Sequence, residues 1–165
     1  MKKYLIISSF ISFIGASILH FAYEFFNEAI IVGAFAPINE SIFEHTKLLF
    51  IPLLISQTIY FLKNKYYLNY DSYWFYTFIS IIIGIYLMPA TVYFYSSGFL
   101  LESLIADILL CLIIIGISNF IFYISYNNFN FNINYKKSIF LIIILFIIYF
   151  ILTIYPPNYP FFISN

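Results

Sequence analysis

Apolar residues gather along this chain in five long runs, at residues 4–26, 47–62, 73–95, 99–126 and 138–155. A helix needs about 20 apolar residues to cross the hydrocarbon of a bilayer, so each run predicts one span. The expected fold is all-α and integral to a membrane: a single domain of five transmembrane helices over residues 1–165. The second run is the shortest and contains Pro52, which removes a backbone hydrogen bond and bends a helix. Its polar lead-in, residues 39–46, is expected to carry the same helix outward. The first run follows Met1, Lys2 and Lys3 and continues past Ala16 to Phe26 without a small-residue cleavage pattern. It reads as an uncleaved span, because a secretory signal has a shorter apolar core.

The polar positions between the runs give an orientation. Lys2 and Lys3 precede the first span, Lys63 and Lys65 separate the second from the third, and Lys136 and Lys137 separate the fourth from the fifth. With five spans all of these fall on one side, and the positive-inside rule makes that side cytoplasmic. The N-terminus is then inside and the C-terminus outside. Lys47 stands alone at a helix boundary on the opposite side. Acids and histidines sort the other way. Asp71 accompanies the lysines, whereas Glu24, Glu28, Glu40, Glu44, Glu102, Asp107, His20 and His45 map to the outer ends of spans or to the outer loops.

Composition narrows the class. Only 8% of residues are charged and 64% are hydrophobic, against roughly 25% charged in a soluble domain. Such a chain cannot clothe a water-facing surface. That excludes an ordinary cytosolic domain, a nucleic-acid binder working through basic patches, and a disordered tail. The expected location is the cell membrane and the expected partner the lipid bilayer, with no nucleic acid; a homo-oligomer or a membrane-complex partner is left open. Seven lysines balance seven acids, so net charge points to no partner. Cys111 is the single cysteine, which excludes an intramolecular disulfide; it reads as a small buried hydrophobe. The many tyrosines and phenylalanines accompany an excess of Ile, Asn and Lys, as AT-rich coding would produce, and do not by themselves mark a binding site.

The outer cluster carries the candidate chemistry. His20 and Glu24 are four residues apart and share a helical face. With the first helix ending near Phe26, His20 lies roughly 9 Å below that end at 1.5 Å per residue. Asp107 is expected one to two turns into the fourth span. Ionisable groups at such depth are costly and usually face the bundle interior, so these three are expected to serve one another. Read as helix, the stretch 39–47 places Glu40 and Glu44 on one face with Lys47 three residues on, and His45 about 100° away from Glu44. This density suits a divalent cation, zinc above all, with His20, Glu24, Glu44 and His45 as candidate ligands. Glu44, Glu40 and Asp107 are the candidate catalytic carboxylates, since a catalytic metal site keeps one position for water and uses a spare acid as base. The spacing is not the H-E-x-x-H of zinc proteases. Structural readings stand beside it. Ser41 and Glu44 make a capping box, with Asn39 as an alternative N-cap. Glu44 and Lys47 make a surface ion pair, His20 and Glu24 a packing hydrogen bond, and Glu28 and Glu102 are solvated among headgroups.

The residues His20, Phe21, Ala22, Tyr23 and Glu24, followed by the stretch 36–48, resemble a group of small multi-pass bacterial membrane proteins of unknown function. That group carries a pattern like N-E-S-x-W-E-H-x-K-L, with Phe43 here in place of the Trp. Asp107 with Ile108, and the tail from Tyr155, Pro156 and Pro157 to Pro160, Phe161 and Phe162, also look like its later segments. The resemblance implies that His20, Glu24, Asn39, Glu40, Glu44, His45, Lys47 and Asp107 are the positions to test, and it implies no activity.

Three functions compete. The first is an outer-face site that binds a divalent cation and hydrolyses a lipid-linked or envelope substrate. The second is a structural or interaction subunit of a membrane complex, whose polar cap docks a partner. The third is a cation transporter component; against it stand the lack of a repeat pair and the inner half of every span, which reads as apolar and would stop a path halfway.

Overall fold

The computed structural model describes residues 2–99, 103–131 and 133–163. Its helices are α1 (Lys2–Phe25), α2 (Ile30–Gly33), α3 (Ile42–His45), α4 (Lys47–Asn64), α5 (Tyr70–Phe99), α6 (Leu104–Asn128) and α7 (Tyr135–Ile154), with no strand among the described residues. Five helical stretches are long and apolar enough to cross a membrane, the second formed by α3 running through Thr46 into α4. Successive long helices run in opposite directions. One end of the bundle carries Lys63, Lys65, Lys136 and Lys137, and the other carries His20, His45 and Asp107. These are called the lysine end and the histidine end.

Long helices cover the five apolar runs, with limits that differ from those of the runs. The polar residues Ser96, Ser97 and Gly98 do not end α5, which continues to Phe99. Helix α6 begins instead behind Ser103, whose Oγ accepts from the backbone N–H of Ala106 at 3.4 Å. A cap, not the edge of an apolar run, sets the boundary. Asp107 therefore sits in the first turn of α6, not one to two turns inside it. There the helix dipole favours a negative charge. Helix α7 likewise starts three residues early, where Asp71 accepts from the N–H of Tyr135 at 2.7 Å and Asn134 from that of Lys136 at 2.9 Å. Glu102 lies outside the described residues.

Helix α4 is the most buried of the five and packs against α1, α5 and α6. It packs on α1 at Pro52, where a Cβ on Gly15 would stand 3.6 Å from the Pro52 ring. Ser12 Oγ donates there to the Pro52 carbonyl at 3.3 Å and to Ser56 Oγ at 2.9 Å. Toward the lysine end the interior is not apolar, contrary to expectation. Gln57 Nε2 donates to Asn119 Oδ1, and Asn119 Nδ2 to Ser9 Oγ, both at 2.9 Å. Tyr73 donates to the carbonyl and side-chain oxygens of Gln57 at 2.7 and 2.8 Å. The network is uncharged and satisfied from within, which is how buried polar groups are tolerated; a charge-based reading of the sequence passes over it. The outward faces of α1, α6 and α7 expose rows of large apolar side chains, among them Ile14, Ile18, Phe120, Phe140 and Ile147.

Gly84 tests the packing of α5 on α6. A Cβ there would lie 2.6 Å from Ser118 Oγ, an atom buried without a hydrogen-bond partner among the described residues. Gly84→Ala is expected to destabilise by about 1–3 kcal/mol, the usual cost of overpacking. Adding Ser118→Ala should restore most of that loss, because it removes both the clashing atom and the unpaired hydroxyl. Thermal unfolding of the purified proteins in detergent reads the difference.

Candidate functional site

The histidine end is built around a single helical turn. Asn39 Oδ1 accepts from the N–H of Ser41 at 2.9 Å, and Ser41 Oγ accepts from that of Glu44 at 3.3 Å, which starts α3. Only half of the expected capping box forms. The Glu44 carboxylate does not return to Ser41 but accepts from the N–H of Ile38 at 3.0 Å. Because Glu44 and His45 are adjacent on one turn, their side chains leave in different directions. The site divides accordingly.

On one side lies an ion pair. Lys47 Nζ stands 2.6 Å from Glu44 Oε2 and also donates to the carbonyls of Gly33 and Ala36 at 2.7 and 3.3 Å. Glu44 Oε1 accepts from Thr153 Oγ1 at 3.0 Å. The side chains are 3% and 1% exposed, so the pair expected at the surface is interior. Four donors and acceptors from α2, the 34–38 segment and α7 complete it, as a buried ion pair requires. Thr46 Oγ1 meets the Tyr149 hydroxyl at 2.6 Å beside it.

On the other side His20, Glu40 and His45 converge, their nearest ligand atoms all within 4.8 Å of one another. His45 Nε2 is 3.2 Å from Glu40 Oε2, and His20 Nε2 is 4.0 Å from Glu40 Oε1. The imidazole rings are tilted with centroids 5.3 Å apart. Glu40 precedes α3, so it shares no helical face with Glu44, and its side chain is 70% exposed. His45 Nδ1 lies 3.0 Å from the carbonyl oxygen of Ser41. A carbonyl only accepts, so this contact places a proton on Nδ1. His45 Nε2 therefore faces the Glu40 carboxylate either with a second proton or across a cation.

Zinc bonds of about 2.0–2.2 Å place tetrahedral donors roughly 3.3–3.5 Å apart. The Glu40–His45 pair already meets that spacing. His20 needs the exposed Glu40 carboxylate to draw in. Glu24, one turn further along α1, is exposed and lies outside this group. Glu44 is outside it too. Of the four expected ligands the fold brings His20 and His45 together, and the expected carboxylate Glu40 joins them.

Asp107 accepts a hydrogen bond from the hydroxyl of Tyr95. It lines, with His20 and His45, a cavity of about 220 Å³ whose other walls include Phe13, Ala16, Leu48, Met88 and Cys111. Three groups of the site had no signal in the sequence: Tyr95, one of 17 tyrosines; the carbonyl of Ser41, since every residue has one; and Thr153, more than a hundred residues from Glu44.

Residues 1–165 match a family of unknown function, DUF6512, and the chain belongs to that family. No curated protein and no solved structure matches it.

Proposed function

Starting from membership of a family of unknown function, we propose that the chain is a five-span membrane protein that holds a divalent cation at its outer surface. Its activity in this reading is hydrolysis of a lipid-linked or envelope substrate. The lysine end is cytoplasmic by the positive-inside rule, which leaves the N-terminus inside and the histidine end outside. The exposed apolar faces of α1, α6 and α7 meet lipid. The metal ligands are His20, His45 and Glu40, a set of two imidazoles and one carboxylate that leaves a tetrahedral ion one open position.

One observation carries the reading. His45 Nδ1 is committed to the Ser41 carbonyl, so its Nε2 presents a lone pair to the point where Glu40 and His20 meet. A metal-binding imidazole is oriented in this way, through its other nitrogen. A bound divalent ion supplies Lewis-acid polarisation of an ester or phosphoryl oxygen. Asp107, held by Tyr95 on the wall of the same cavity, serves in this reading as the base that takes a proton from water. Glu44 has no such freedom; it anchors the turn that presents His45.

Metal analysis and Co(II) titration of the purified protein test this. One equivalent of metal is expected. His45→Ala and His20→Ala should weaken Co(II) binding by more than the roughly 10–100-fold that even outer-shell changes cost. Glu24→Gln should leave binding unchanged. If neither native metal nor added Co(II) binds, the His45–Glu40 contact is an imidazolium–carboxylate pair. The metal reading then fails, and a polar cap that docks a partner replaces it.

A further inference from the structure

The connection from α1 to α3 contains eight consecutive residues, 29–36, without a polar side chain. They are too few to cross a bilayer, which takes about 20. Asn27 and Glu28, at φ 53° and 57°, turn the chain back where α1 ends. The backbone of Gly33 then lies against α1, where an added Cβ would stand 3.2 Å from the Tyr23 ring. Phe35 packs on Phe146 of α7, with ring centroids 5.1 Å apart. Phe146 precedes Ile154, the last residue of α7, by eight positions. At 1.5 Å per residue that contact lies about 12 Å in from the end of the helix. Phe43 in α3 stacks on Tyr149, one turn nearer the same end. The segment therefore enters and leaves at the histidine end.

Its two faces differ. Gly33, Ala34 and Ala36 are buried, whereas Ile30, Ile31 and Phe35 are 62%, 75% and 43% exposed. The backbone finds its partners inside the protein. The N–H groups of residues 32–36 donate to the carbonyls of Ala29, Ile30 and Val32 at 2.8–3.2 Å, and Lys47 Nζ donates to those of Gly33 and Ala36. Non-spanning backbone is tolerated at membrane depth only when its polar groups are satisfied in this way. A second copy of the chain is a poor cover for this face. Three side chains offer far less than the roughly 800 Å² that each partner buries in a stable interface.

We infer that residues 29–36 form a re-entrant segment seated in the leaflet at the histidine end, with Ile30, Ile31 and Phe35 against lipid acyl chains. In the chain the segment follows directly on the exposed row of Ile14, Ile18, Phe21 and Phe25 along α1. The inference rests on the reading that the long helices span a bilayer, and it is independent of any metal.

Tryptophan fluorescence tests it, since Trp74 is the chain's single tryptophan and is buried. Ile31→Trp, Phe35→Trp and Ile143→Trp are made in a Trp74→Phe background and reconstituted at high dilution in phosphatidylcholine vesicles. The same variants with Trp74 retained, read as differences from the parent, serve should that background fail to fold. Ile143, half exposed in the middle of α7, reports on the span itself. Phosphatidylcholine with brominated acyl chains should lower the emission of Ile31→Trp and Phe35→Trp at least twofold relative to unbrominated lipid. Iodide in the buffer should leave both unchanged. Quenching by iodide without an effect of bromine puts the segment in water and overturns the inference. Quenching by neither means that protein covers it, a second copy included, and overturns it equally. An Ile143→Trp variant untouched by brominated lipid removes the spanning reading. If it is quenched while Ile31→Trp is not, the spans stand and the re-entrant segment falls.

Discussion

Lys47→Met is expected to lower the stability of the fold by about 3–5 kcal/mol, the cost of leaving one buried charge without its partner. The Glu44 carboxylate would then keep only Ile38 N–H and Thr153 Oγ1. The carbonyls of Gly33 and Ala36 would lose their donor in the same step. The double variant Glu44→Gln/Lys47→Met should recover much of the loss. Gln keeps an acceptor oxygen for Ile38 or Thr153 and carries no charge to strand. Thermal unfolding in detergent, read by circular dichroism, gives the two differences. A Lys47→Met protein as stable as the parent would show that the pair is solvated and that the turn is held by its rings alone.

That ion pair also marks how far the sequence could be read. The five long apolar helices were legible because an apolar run of sufficient length has few alternatives to a long helix. Their ends were not, because Ser103, Asn134 and Asp71 cap helices through local hydrogen bonds that hydropathy does not register. In the stretch 39–47 the residue types were legible as a polar site, and Ser41 as the start of a helix. Which side of the turn each group takes was not. A helix drawn from Glu40 would align it with Glu44, but helical geometry begins only at Ile42. Glu40 is thereby released toward His20 while Glu44 is drawn toward Thr153. The partners that decide the matter, Thr153 and Tyr149 on α7 and Tyr95 on α5, lie far along the chain and belong to abundant residue types. The polar core of Gln57, Asn119 and Tyr73 escaped for a related reason: each residue is unremarkable alone, and only their meeting makes a network.

Phe43→Ala is expected to cost about 3–5 kcal/mol, the range for truncating a large buried aromatic side chain, and, if the proposed cation site is real, to weaken metal binding although none of the proposed ligands is touched. A single four-residue turn has no stability of its own, so α3 depends on what surrounds it. Phe43 is 5% exposed and stacks on Tyr149 at 4.9 Å between ring centroids; Phe162 and Phe161 follow at 4.7 and 5.9 Å. These contacts tie α3 to α7 and to the 3-10 turn Pro160–Phe162. Removing the ring leaves a void between Tyr149 and the Phe161–Phe162 pair, and the turn that aims His45 loses its floor. Phe43→Leu retains most of the volume and should cost less than half as much. Thermal midpoints and Co(II) affinity measured on the same preparations separate the two consequences. Unchanged affinity in a destabilised Phe43→Ala protein would mean that α4 alone, through Thr46 and Lys47, orients His45. In that case the α7 contacts stabilise the histidine end without shaping the site.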